Sequence, residues 1–145
     1  MNSADSRPVS SPAIVGIFAA AFLVLAILLN ILVIFVPFDN PAMGFLVVVA
    51  AAGVAGQYWF SREKVVPAGG RVWNVALLCG IVSAVLSAGF AVFGLSGDQQ
   101  MWNEFSQAGI AVIAGVFAAI LVIQVLLVRV GFWLTFRQAA KKPAA

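Results

Sequence analysis

The sequence predicts an all-α polytopic membrane protein, an antiparallel bundle of four transmembrane helices with both termini in the cytoplasm. Three observations predict it. Of 145 residues, 63% are apolar and 9% charged, and the mean hydropathy is +1.10. A water-soluble domain carries about 25% charged residues, so this chain lacks the charge to hydrate a surface of its own. Four apolar segments, approximately 13–36, 43–60, 72–95 and 108–128, contain no Asp, Glu, Lys or Arg. Each is long enough for a hydrocarbon core that takes about 20 residues, with a range of roughly 17 to 25. Finally, all eight Lys and Arg residues fall in tails and connections of one side.

Segment 13–36 is expected to be retained as a span. A cleaved signal has an apolar stretch of about 7 to 15 residues before small residues, whereas this one is longer and runs into Pro37, Phe38 and Asp39. Pro37, Asn40 and Pro41 make a tight turn into the second segment, and Pro67, Gly69 and Gly70 break the chain before the third. Gly97 opens the third connection, and the fourth helix is expected to run over about 108–136. None of the segments alternates with a two-residue period, so they suit helices that satisfy their own backbone, not barrel strands. Short loops make neighbouring helices antiparallel. The whole chain, 1–145, reads as one membrane domain with short tails, 1–12 and 137–145.

Charge placement orients it. Arg7 in the first tail, Arg62, Lys64 and Arg71 in the second connection, and Arg129, Arg137, Lys141 and Lys142 at the end share one side; the other connections carry only Asp39, Asp98 and Glu104. The positive-inside rule puts the basic side in the cytoplasm. Tyr58, Trp59, Trp73 and Trp133 then belong to the inner interface, and Trp102 and Phe105 to the outer one.

The polar residues inside the segments are few. Asn30 lies in the outer half of the first helix; Gln57, Asn74 and Gln124 lie towards the cytoplasmic ends of the other three, with Arg129 just beyond. In a bundle, Gln57, Asn74, Gln124 and Arg129 form a candidate inner-leaflet polar cluster. The competing reading is that Arg129 snorkels to lipid phosphate and the amides serve as interhelical glue.

Small residues carry the clearest pattern. At about 100° per residue, Gly80, Ser83, Ala84, Ser87, Ala91 and Gly94 share one face of the third helix. Ala111, Ala114, Gly115 and Ala118 form a second stripe on the fourth helix, and Ala52 and Gly56 stand four apart on the second. Such faces let another helix backbone approach closely. They serve either the chain's own bundle or a partner.

No catalytic, cofactor or metal site is expected. The chain has no His, and its single cysteine, Cys79, cannot form an intrachain disulfide. Proton-driven exporters that use a membrane-embedded Glu, quinone-coupled dithiol oxidoreductases, fluoride channels and membrane glutathione transferases all need residues that the segments lack. Nucleic acid is not an expected partner, because the basic residues are topological.

The run Trp59-Phe60-Ser61-Arg62-Glu63-Lys64-Val65-Val66-Pro67 before a Trp-Asn-bearing helix, with Val128-Arg129-Val130-Gly131-Phe132-Trp133 near the end, resembles the ABZJ family of bacterial inner-membrane proteins. The resemblance implies a compact four-helix protein of the bacterial inner membrane and no particular activity. The expected function is non-catalytic: lateral helix packing in the bilayer, as an accessory or assembly subunit of a larger membrane complex or as an immunity-type protein, with a membrane-protein partner or self-association. The alternative is a small oligomeric transporter or channel lined by Asn30, Gln57 and Gln124.

Overall fold

The structure is a computed structural model that describes residues 8–37, 40 and 42–142. Asp5, Arg7, Phe38, Asp39 and Pro41 lie outside the described residues. Five helices follow in order: α1 (Ser11–Phe35), α2 (Ala42–Glu63), α3 (Gly69–Leu95), α4 (Gln99–Gln107) and α5 (Ile110–Lys141). Four of them, α1, α2, α3 and α5, are long and apolar enough to cross a membrane.

Local chemistry sets the boundaries. Pro12 sits in the first turn of α1, where its missing N–H is one the helix leaves unpaired anyway, so the helix begins at Ser11. Val36, ahead of Pro37, is extended and ends α1. The Asn40 side chain accepts a hydrogen bond from the N–H of Ala42 at 3.0 Å and starts α2. Lys64 closes α2 in the left-handed conformation (φ 57°) while donating its N–H to the Phe60 carbonyl at 2.8 Å.

The third connection is not a plain loop. Asp98 caps α4, its carboxylate accepting from the N–H groups of Gln100 (3.0 Å) and Met101 (3.2 Å). Helix α4 is exposed throughout and amphipathic, with Met101, Trp102 and Phe105 as its apolar residues, the composition of a helix that lies in a membrane interface. Gly109, with φ 84°, turns the chain from α4 into α5, and an L side chain there would be strained. Helix α5 is the longest, 32 residues or about 48 Å at 1.5 Å per residue. It continues through what reads as a tail, to Lys141.

In cross-section the order around the bundle is α1, α2, α5, α3. Helix α5 packs on both α2 and α3, α1 packs on α2 and α3, and the sequence neighbours α2 and α3 stand on a diagonal. The start of α1, the end of α2, the start of α3 and the end of α5 gather at one end. That end carries Arg62, Lys64, Arg71, Arg129, Arg137, Lys141 and Lys142 and is called the basic end below.

Packing is confined to the basic half. Ile14, Phe18 and Phe22 of α1 meet Val48, Ala51, Ala52, Ala55 and Trp59 of α2, Val72, Val75, Ala76 and Cys79 of α3, and Val128, Phe132 and Phe136 of α5 in one buried core. In a bilayer, helices gain little hydrophobic drive by meeting each other, so close van der Waals contact has to hold them. Small residues supply it. A Cβ on Gly80 would lie 2.3 Å from Val125 Cγ2, and one on Gly131 would lie 2.7 Å from Ala52 Cβ and 3.1 Å from the Val49 carbonyl. Beyond these contacts the helices part, and Ile31–Phe35, Phe45, Leu46, Val92, Phe93, Ile110 and Val112 are exposed.

Candidate functional site

Where the packed half gives way to the open half, a small polar junction joins α3 to α5. The Ser83 hydroxyl donates to Gln124 Oε1 at 2.7 Å, and Gln124 Nε2 donates to the Ser87 hydroxyl at 3.2 Å. Ser83 Oγ also lies 2.9 Å from the Gly80 carbonyl, a second acceptor for the same proton. Ser83 and Gln124 are buried. Bonds of this kind contribute on the order of 0.6 to 2 kcal/mol each between membrane helices, and they set the register of α3 on α5 next to the Gly80–Val125 contact.

The junction floors a cavity of about 190 Å³ whose walls include Phe22, Leu29, Asn30, Phe45, Ser87 and Gln124. Asn30 spends one amide hydrogen on the Ala26 carbonyl, at 2.8 Å. Neutral donors and acceptors thus face a mostly apolar space between helices. Their chemistry is hydrogen bonding, since none of these side chains titrates in the physiological range. In the open half, a wider groove of about 490 Å³ separates α1 from α2 along Leu28, Leu32, Met43 and Leu46.

The basic end is built differently. Glu63 accepts from the backbone N–H of Val9 at 2.7 Å and pairs with Arg71 at 2.8 Å, while Arg71 also donates to the Val9 carbonyl. One carboxylate and one guanidinium therefore tie the start of α1 and the start of α3 to the end of α2. Arg71 also lies over the Trp59 ring, 5.0 Å from its centroid. Arg129 sits 5.1 Å over Trp73 and Arg137 sits 5.0 Å over Trp133.

Among the residues singled out from sequence, the structure brings some together and separates others. On α3, Gly80, Ser83 and Ala84 are buried and Ser87 is half-buried, but Ala91 and Gly94 are exposed. On α5, Ala111, Ala114, Gly115 and Ala118 are all exposed. The face that α5 packs runs instead through Gln124, Val125, Val128, Gly131, Phe132, Thr135 and Phe136. Of the four residues of the expected inner-leaflet cluster, Gln57 and Asn74 are exposed, Gln124 bonds to the α3 serines, and Arg129 stacks on Trp73. Trp59, read as an interfacial ring, is fully buried.

Sequence reasoning missed the Ser83–Gln124–Ser87 link and the Glu63–Arg71 clamp. Two serines four apart on one helix face, with one amide on another helix, were the available signal for the first. An acidic residue alone among basic ones at a helix end was the signal for the second.

Comparison with known protein families, curated proteins and solved structures finds no match to this chain, so no family is identified for it. Length, hydropathy and packing together describe an all-α integral membrane protein with four spans bundled around a core in one half.

Proposed function

We propose that the protein is a non-catalytic component of the bacterial inner membrane that acts by lateral helix packing, as an accessory or assembly subunit or as an immunity-type protein. One observation carries the reading. The small-residue faces of α3 and α5 that its own bundle leaves exposed, Ala91 and Gly94 on one helix and Ala111, Gly115 and Ala118 on its neighbour, stand at the same end of the molecule. The packed half shows what such residues do when a helix lies against them. A transmembrane helix of a partner protein, seated on the open half, would complete the packing that stops at Gln124.

Gly115→Leu and Ala118→Leu are expected not to lower the melting temperature of the isolated protein in mild detergent while abolishing stoichiometric co-purification of the partner. A Cβ at Gly115 meets no neighbouring helix, and both positions are exposed. Unchanged co-purification in both variants, or a wild-type protein that purifies alone and is fully active in liposomes, would sink the idea.

The reading also needs an orientation. Eight basic residues on one side support a cytoplasmic basic end. A reporter active only in the cytoplasm is expected to function when fused after Lys142, and one active only outside it when inserted near Gln99; the reverse pattern would exchange the two faces.

A second reading, a small oligomeric transporter, is favoured by one feature, the cavity where Asn30, Ser87 and Gln124 meet. Gln57, the third residue expected on such a path, is exposed and does not line it. Substrate flux abolished by Gln124→Leu would decide for transport, and its absence over a broad substrate panel would remove it.

A further inference from the structure

At the rim of the basic end, Arg129 and Arg137 line a cleft of about 330 Å³ between the connection at Val66 and Pro67 and the last turns of α5. We infer that this cleft binds the phosphodiester headgroup of an anionic phospholipid of the adjoining leaflet.

The arginines of this end divide into two kinds. Arg71 is spent on structure, with Glu63 and the Val9 carbonyl as its partners. Arg129 and Arg137 have no carboxylate within salt-bridge distance among the described residues. Each instead lies over an indole, Trp73 and Trp133 respectively. A guanidinium stacked on a ring is held in place by its face, and its in-plane N–H groups stay available; that planar fork matches two oxygens of a phosphate.

The rest of the lining selects the kind of phosphate. Val66, Val72, Phe136 and the Trp133 ring make most of the wall apolar, which suits the glycerol and first methylenes below a headgroup better than a free, fully hydrated ion. Two cations with no carboxylate nearby among the described residues disfavour a headgroup that carries its own ammonium. The expected ligand is therefore an anionic glycerophospholipid of the phosphatidylglycerol type. Basic pockets between spans on the cytoplasmic side are suited to such headgroups.

The test uses the full-length protein in mild detergent, with native mass spectrometry for bound lipid and thermal melting for linkage. Phosphatidylglycerol is expected to bind saturably and raise the melting temperature, with phosphatidylcholine and inorganic phosphate at equal concentration doing neither. Arg129→Gln and Arg137→Gln should each weaken phosphatidylglycerol binding by roughly fivefold, and together by roughly 20- to 30-fold. Arg62→Gln, which removes a charge at the same end that lies over Tyr58 and outside the cleft, should weaken it far less. Lysine at both positions should restore part of the affinity, since charge returns without the fork. If the double variant fails to fold, Arg137→Gln alone, at an exposed side chain, decides. Equal binding of phosphatidylglycerol and phosphatidylcholine, or an Arg62→Gln loss as large as that of Arg137→Gln, would overturn the site. Stabilisation by inorganic phosphate equal to that by the lipid would overturn the lipid as its occupant.

Discussion

Gly80→Ala is expected to destabilise the isolated protein by about 1 to 3 kcal/mol, the usual range for overpacking, and Gly80→Leu to prevent the bundle from closing. The added Cβ would stand 2.3 Å from Val125 Cγ2, and a new rotamer of Val125 would not relieve it, because Val125 Cα lies only 3.1 Å away. Helix α3 would have to move off α5, and the Ser83–Gln124 bond one turn further along would stretch with it. Gly115→Ala is the internal control. No atom lies within 4 Å of its Cβ position, so the substitution should gain roughly 0.5 to 1 kcal/mol from reduced backbone freedom in the unfolded chain. Thermal melting or denaturant titration in detergent micelles measures both, and equal effects at the two positions would mean that the α3–α5 contact is not as drawn.

Trp59→Ala is expected to be the most damaging truncation, at about 3 to 5 kcal/mol. The ring is fully buried, edge-on to Phe132 (5.9 Å, 88°) and Phe136 (5.7 Å, 81°), with Arg71 across its face. Removing it would take the central piece from the α2–α5 seam and loosen the guanidinium that ties α1 and α3 to α2. In hydrocarbon the loss comes from vanished dispersion contacts in a void, not from exposure to water. Trp59→Phe should retain most of the stability, since the indole Nε1 has no hydrogen-bond partner among the described residues and its deletion sacrifices no bond. A Phe variant as unstable as the Ala variant would show that the Nε1 proton has a partner after all.

How much of this was legible in the sequence differs between the spans and their contacts. Span positions were legible because an apolar run without charge is a one-dimensional property. Which stretch of a small-residue stripe meets a neighbour is not one-dimensional. Ala111, Gly115 and Ala118 look as ready for a helix as Gly80 and Ser83 do, yet they lie in the half where the helices part and stay open. Counted from the last residue of its apolar run, Val128, Gln124 reads as lying close to the basic end. Helix α5 continues to Lys141, its later turns covered by Trp59 and the α2 glycine face, so Gln124 falls near its middle. The same extension buries Phe132 and Phe136 and with them Trp59, whose place at the basic end of its apolar segment reads as an interfacial ring. Helix α4 carried a readable signal in the Asp98 cap and the apolar positions 101, 102 and 105, but it is too short to register as a span.

The diagonal placement of α2 and α3 has a consequence for biogenesis. A chain inserted from its amino terminus places α1, α2 and α3 in the bilayer before α5 leaves the ribosome. Until then Ala52, Gly56 and Trp59 lack the α5 residues that cover them, Gly131, Phe132, Thr135 and Phe136. The hairpins α1–α2 and α3–α5 can each close, but the broad seam that joins them, α2 on α5, waits for α5. Helix α5 acts as a keystone wedged between α2 and α3, and the contacts it makes with both wait for its insertion, the circumstance in which a membrane insertase or quality-control protease has longest access to an incomplete bundle.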